Sequence, residues 1–80
     1  MSEQAIRDAE ERIIHVSNYC VMYAMAKGLP YDEGLICFSV TARLMKWNAE
    51  HPNAPESECV ALGMQWTREE LEKLYGGRTQ

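Results

Sequence analysis

The feature that most restricts the fold of this chain is one segment, residues 35–49, whose apolar side chains fall on two faces of a single helix. At about 100° per residue, a helix gathers one apolar set on one side and a second set on the roughly opposite side. The Phe38 stripe consists of Leu35, Phe38, Ala42, Met45 and Ala49, and the Val40 stripe consists of Ile36, Val40, Leu44 and Trp47. A surface helix needs only one apolar stripe. The segment therefore predicts a helix covered from two sides, by its own chain or by another molecule.

The length of the chain limits how large a core it can form. Eighty residues make one small domain, and small domains bury a low fraction of their surface. Such domains are commonly stabilised by disulfides, a metal or oligomerisation. The cysteines, Cys20, Cys37 and Cys59, are odd in number and lack paired spacing, and the polar N-terminal segment does not resemble a signal peptide. We therefore expect reduced, buried thiols in a cytoplasmic protein that is stabilised by oligomerisation.

Charge and hydropathy disfavour two classes of partner. The net charge is −4, and the basic residues are scattered from Arg7 to Arg78 rather than gathered on one face. This distribution disfavours a nucleic-acid-binding surface. The longest apolar run, residues 19–26, is too short to cross a bilayer. The sequence thus predicts neither a nucleic-acid partner nor a membrane segment.

The first half of the chain is expected to form two long helices. Residues 2–27 carry a heptad pattern, and residues 31–50 form the second helix, which contains the two-stripe segment. The heptad stripe consists of Ile6, Ala9, Ile13, Val16, Cys20 and Tyr23, and the Val21 stripe of the same helix consists of Ile14, Val21 and Met25. Gly28 suits a left-handed C′ position, Leu29 the apolar contact that follows it, and Pro30 prevents continuation.

The second half is expected to form two short helices, at residues 55–62 and 67–75. Asn53 and Glu56 have capping-box spacing, and Gly63 is expected to end the first short helix. Thr67 and Glu70 form a second capping-box pattern at the start of the other helix. Residues 77–80 are expected to fray. The whole chain, residues 1–80, is thus predicted to be one all-α domain.

No cluster of residues predicts a metal site. Asp8, Glu11 and His15 share one arc of the first helix, but that arc lies opposite the heptad stripe and is expected to face solvent. Metal sites in helical bundles instead project matched ligands inward from several helices. The three cysteines and His51 also lack the short ligand spacing of a zinc site. We predict no bound metal.

No residues predict catalysis or a bound cofactor. A nucleophilic site needs a cysteine or serine beside a base and an orienting group. Cys20 and Cys37 instead lie on or beside apolar stripes, where structural thiols occur. His51 is explained by its place at a helix end, and the glycines do not form a phosphate-binding loop. We therefore expect no enzymatic activity and no cofactor.

One alternative function is a DNA-binding regulator of the helix–turn–helix type. Residues 59–75 have the outline of such a motif, with a glycine between two short helices. The second helix would enter the major groove with its N-terminal residues. It carries three carboxylates, Glu69, Glu70 and Glu72, against only Arg68 and Lys73. This balance is unfavourable next to phosphates.

The favoured prediction is a small bundle of two long antiparallel helices, crossed by two short C-terminal helices and dimerising through the long ones. The expected dimer or partner interface consists of Ile14, Val21, Met25, Ile36, Val40, Leu44 and Trp47. The pattern leaves open which stripe of each long helix faces the core. The expected function is that of a non-enzymatic adaptor or inhibitor that binds and modulates another protein. Its size also fits the small accessory proteins of phages and mobile elements.

Overall fold

The computed structural model describes residues 2–76, and this part of the chain is helical and contains no strand. Its three helices are α1 (Glu3–Ala26), α2 (Tyr31–Glu50) and α3 (Glu56–Tyr75). The all-α prediction is confirmed. The prediction of four helices is wrong, because the two short C-terminal helices form one continuous helix. The expected fraying of residues 77–80 lies outside the described residues.

Helix α1 has well-defined signals at both ends. The hydroxyl of Ser2 accepts a hydrogen bond from the Ala5 N–H at 3.1 Å, which satisfies one of the free donors of the first turn. At the other end, the Gly28 N–H donates to Met25 O at 3.0 Å and the Leu29 N–H donates to Ala24 O at 2.9 Å. This is the Schellman pattern, and Gly28 occupies its left-handed position with a φ of 69°. The left-handed position predicted for Gly28 is confirmed, and the Leu29 N–H completes the hydrogen-bond pattern.

Two glycine substitutions should change stability in opposite directions. Gly34→Ala is expected to stabilise the fold by about 0.5–1 kcal/mol, because Gly34 lies in helix α2 and a Cβ there meets no atom within 4 Å. Gly28→Ala should destabilise it by about 1–2 kcal/mol, because its positive φ disfavours a side chain. Chemical denaturation followed by circular dichroism, at one fixed protein concentration, measures both changes. Equal effects of the two variants would contradict the assigned helix end.

Helices α2 and α3 form an antiparallel hairpin. At its open end, the Tyr75 hydroxyl donates to Glu33 at 2.6 Å. At its closed end, beside the loop, the Asn48 amide donates to the Cys59 sulfur at 3.4 Å. The His51 N–H ends helix α2 by donating to Trp47 O at 2.9 Å, and the His51 ring stacks on the Trp47 ring with centroids 4.5 Å apart. The Tyr75–Glu33 and Asn48–Cys59 contacts, one at each end of the hairpin, fix the register of the two helices.

Helix α3 continues through Gly63 because α2 packs closely against it there. A Cβ built on Gly63 would lie only 3.1 Å from a methyl carbon of Leu44, so the missing side chain permits this close approach. The predicted capping boxes are not used. Helix α3 begins after Pro55 rather than Asn53, and Glu70 pairs with Lys73 at 3.2 Å inside the helix. Packing along α2 therefore outweighs the local stop signals.

The prediction that the two N-terminal helices pack as an antiparallel pair is also wrong. Packing between helices is concentrated in the α2–α3 hairpin, and α1 extends away from it as an arm. The molecule measures 53 × 32 × 21 Å, with a radius of gyration of 15.7 Å. A compact domain of this length has a radius of gyration of about 12 Å. Helix α3, as one long helix, packs instead on the Val40 stripe of α2, which the sequence pattern places in the expected dimer or partner interface.

The core of the described chain is very small. Val40 is 8% exposed and Trp66 is 9% exposed, and they are the buried apolar residues among residues 2–76. Both lie in the α2–α3 hairpin. Helix α1 contributes no buried residue. No apolar side chain of the arm is therefore buried within the described part of the chain.

Candidate protein-interaction surfaces

The α2–α3 groove is an open, mainly apolar channel of about 970 Å³ between the two hairpin helices. Its α2 wall includes Ile36, Val40 and Leu44, and its α3 wall includes Val60, Met64 and Leu71, while Glu33 and Arg68 add charged side chains to the lining. Gly63 also lines the groove, and its missing side chain leaves room for Leu44. A channel of this shape and chemistry suits the apolar face of another helix.

Trp66 of α3 contacts α2 on a side of the hairpin that lies outside the groove. Its ring is covered by the guanidinium of Arg43, which lies 4.0 Å from the ring centroid. A cation at this distance over an indole is attracted by the ring's negative face. The buried indole and its covering arginine therefore hold α2 to α3 on a side that is separate from the open channel.

The predicted interface residues on α2 lie on the side that faces α3. Val40 is buried, and Ile36, Leu44 and Trp47 are half-buried. Ile36, Val40 and Leu44 line the α2–α3 groove, whereas Trp47 stacks on His51. The Val40 stripe therefore serves the core of its own chain and also remains accessible from the groove.

The predicted interface residues on α1 lie apart from those on α2. Ile14, Val21 and Met25 are exposed on the arm. The large residues of the heptad stripe, on another face of α1, are also exposed, and Val16 at the centre of that stripe is 63% exposed. Tyr19 and Tyr23 stack on each other within α1, with ring centroids 6.3 Å apart, rather than on another helix. Within one chain, the two halves of the predicted interface do not meet.

The Phe38 stripe forms a separate apolar surface on the outer side of α2. Leu35, Phe38 and Met45 are exposed there, and Phe38 is 46% exposed. None of the three lines the α2–α3 groove. Helix α2 is thus half-covered on one face by α3 and uncovered on the other.

Sequence reasoning missed the α3 wall of the groove. The split into two short helices at Gly63 separated Val60 from Met64, Thr67 and Leu71. Read through the glycine, these residues recur at intervals of four, three and four, which is the spacing of one helical stripe. This spacing indicates that the residues belong to a single α3.

The polar side chains of the described region do not form a metal-binding group. Among residues 2–76, no three His, Cys, Asp or Glu side chains come together in such a group. Asp8 accepts a hydrogen bond from Gln4 at 2.9 Å on the surface of α1. The three cysteines are free thiols, and none is buried: Cys37 is exposed, and Cys20 and Cys59 are half-buried, so the expectation of buried thiols is wrong. The groove, the arm and the outer face of α2 are therefore the candidate sites.

Comparisons with known proteins add no relative. No family model, no curated protein and no solved structure matches the chain. Within the described residues, no helix combines the length and the apolar character required to cross a membrane. Functional interpretation consequently depends on the surfaces of the molecule itself.

Proposed function

We propose that this chain is a non-enzymatic, cytoplasmic protein-binding protein, which forms a homodimer and modulates a partner protein as an adaptor or inhibitor. The observation that carries the proposal is the amount of apolar surface that one copy leaves uncovered. Sixteen large apolar residues are exposed, against two that are buried, among those described. Contiguous apolar surface beyond a few hundred Å² marks interaction sites in soluble proteins.

The accessible surface supports this proposal quantitatively. One copy exposes 6795 Å². A compact monomer of this mass exposes about 4,900 Å², so the chain carries roughly 1,900 Å² in excess. Obligate homodimers bury on the order of 1,000–2,500 Å² per subunit. The excess therefore matches what one subunit of such a dimer covers.

The proposed dimer uses the arm and the hairpin of each copy. Its interface includes the exposed residues of α1, on the Val21 stripe as well as on the heptad stripe, and the groove residues Ile36, Val40 and Leu44 on α2. Apolar side chains of this kind make up the desolvated centre of homodimer interfaces. Trp47 remains a proposed rim residue, since its ring is already stacked on His51.

The Phe38 stripe is the proposed contact for the partner protein, because it lies outside the groove. Phe38→Lys places a charge at the centre of this stripe and is expected to abolish recovery of a specific partner in affinity purification. Removing an aromatic anchor from an interface commonly costs 2 kcal/mol or more, or about thirtyfold in affinity. The measurement is quantitative mass spectrometry of proteins retained by tagged wild type and variant.

Ser39→Lys is the matched control, because Ser39 is an exposed neighbour off the Phe38 stripe. It should retain the partner, and both variants should keep the helicity and the mass of the wild type. Equal retention by all three chains would rule out the Phe38 stripe as the partner site.

The alternative of a helix–turn–helix DNA reader gains no support from the described geometry. The motif needs a turn near Gly63, and α3 runs through that position without interruption. The two cations expected to approach phosphates are already paired with carboxylates, Arg68 with Glu72 at 2.8 Å and Lys73 with Glu70 at 3.2 Å. We therefore do not propose DNA binding.

A further inference from the structure

We propose that the occupant of the α2–α3 groove is helix α1 of a second copy of this chain, seated through its heptad stripe, so that two copies exchange their arms. This inference rests on the proposed homodimer and specifies its arrangement. Each copy carries one uncovered groove and one uncovered helix, so a dimer contains two of each. Mutual exchange uses both and closes the assembly at two copies.

The dimensions of arm and groove agree. The heptad stripe runs from Ile6 to Tyr23, which is about 26 Å at 1.5 Å per residue. The groove wall on α2 extends from Glu33 to Leu44, or about 17 Å by the same rise. The stripe therefore covers the channel along its whole length.

The chemistry of the two surfaces also agrees. The groove presents mainly aliphatic side chains and Met64, with Gly63 in its lining, and it also includes the charged Glu33 and Arg68. The heptad stripe presents Ile13 and Val16 at its centre and the smaller Ala9 and Cys20 on either side. Apolar residues that repeat at intervals of three and four are suited to packing between two other helices. Neither surface contains a buried polar group that lacks a hydrogen bond in the described region.

The chain's own arm is held away from this groove. Only residues 27–30 join α1 to α2, and the Schellman hydrogen bonds and Pro30 restrict the direction of that connection. Leu29 lines the groove itself, so the connection already occupies one end of it. An arm from a second copy is free of this tether.

The three native cysteines offer a direct test. Cys20 belongs to the heptad stripe of the arm, whereas Cys37 and Cys59 line the groove. Cys59 lies at the closed end of the hairpin, and Cys37 lies further from that end. Arm exchange brings Cys20 of one copy towards Cys37 or Cys59 of the other, depending on the direction in which the arm runs.

The experiment mixes full-length chains that each retain one cysteine, one of them carrying a tag that makes its mass distinct. The chain with Cys37→Ser and Cys59→Ser retains Cys20. It is mixed in turn with a Cys20→Ser, Cys59→Ser chain and with a Cys20→Ser, Cys37→Ser chain, and each mixture is treated with a short bis-maleimide. A covalent mixed dimer is expected in at least one of these mixtures. The matched control is the mixture of the two chains that lack Cys20, and it should give no covalent mixed dimer.

The outcomes separate this inference from the dimer proposal. A monomeric wild type in solution would overturn both. A dimeric wild type in which Cys20 reaches neither Cys37 nor Cys59 of the other chain would overturn the arm exchange alone. The Cys59→Ser chain retains both Cys20 and Cys37, and a linkage confined within single chains would show that the arm closes on its own groove and would also overturn the exchange. Circular dichroism of each variant confirms that serine leaves the helices intact.

Discussion

Trp66→Ala is expected to abolish the cooperative unfolding transition of the α2–α3 hairpin, with a loss of about 3–5 kcal/mol in the free energy of unfolding. Trp66 is one of only two buried apolar residues in the described chain, so its removal leaves a cavity that no other side chain fills. The cation–π contact with Arg43, at 4.0 Å, is lost with it. The single core of a domain of about this size rarely supplies more than about 3–5 kcal/mol, so this loss is comparable to the whole contribution of the core. Urea denaturation followed by circular dichroism measures the change.

Met45→Ala is the matched control for Trp66→Ala. Met45 is also a large apolar residue, but it is 68% exposed on the outer face of α2. Its truncation should change the free energy of unfolding by no more than about 0.5 kcal/mol. A comparable loss in both variants would show that the core does not centre on Trp66.

Val16→Asp is expected to dissociate the dimer, raising its dissociation constant by about two orders of magnitude or more. In a single copy Val16 is 63% exposed, so a carboxylate there meets water and costs little. In the groove of a second copy the same carboxylate would lie among apolar side chains without a partner, which costs several kcal/mol. Each 1.4 kcal/mol corresponds to about tenfold in the dissociation constant. Sedimentation equilibrium at several concentrations measures the constant.

His15→Asp is the matched control on the same helix. It adds a carboxylate at an exposed position on the arc of α1 that lies outside both the heptad stripe and the Val21 stripe. The dimer should survive this change. If His15→Asp dissociated the dimer and Val16→Asp did not, the opposite face of the arm would be the one that binds.

Local signals in the sequence were sufficient to place the first two helices. Gly28, Leu29 and Pro30 end α1 and start α2 through backbone conformation, which depends on few residues and can be read directly from them. The predicted ranges, 2–27 and 31–50, agree closely with the observed helices. Local backbone conformation therefore determines where these two helices end and begin.

The same kind of signal failed in the C-terminal half because tertiary packing overrides it. The sequence pattern predicts a stop at Gly63, but in the structure Gly63 is a position at which α2 packs closely against α3. Thr67 and Glu70 have capping-box spacing, but Glu70 pairs with Lys73 within a continuing helix. Only the long stripe of α3 residues contained the information that these positions belong to one helix.

The candidate site could be predicted in part. The two stripes of α2 identified a helix that one neighbour cannot cover, and α3 indeed leaves the Phe38 stripe exposed. The pairing of helices depended on how much surface α3 presents, which followed from its length. Because two short helices present less surface than one long α3, the sequence pattern places α1 against α2 and the Val40 stripe in an interface, whereas in the structure α3 packs on the Val40 stripe and α1 is a separate arm.

The most direct measurement of the central claim is the molar mass of the wild-type chain in solution, by sedimentation equilibrium from low to high micromolar concentration. The chain has a mass of 9.2 kDa. We predict a species of twice this mass, because one copy leaves the surface of a subunit interface uncovered. A mass of 9.2 kDa throughout the concentration range would contradict the claim that a second copy covers the arm and the groove.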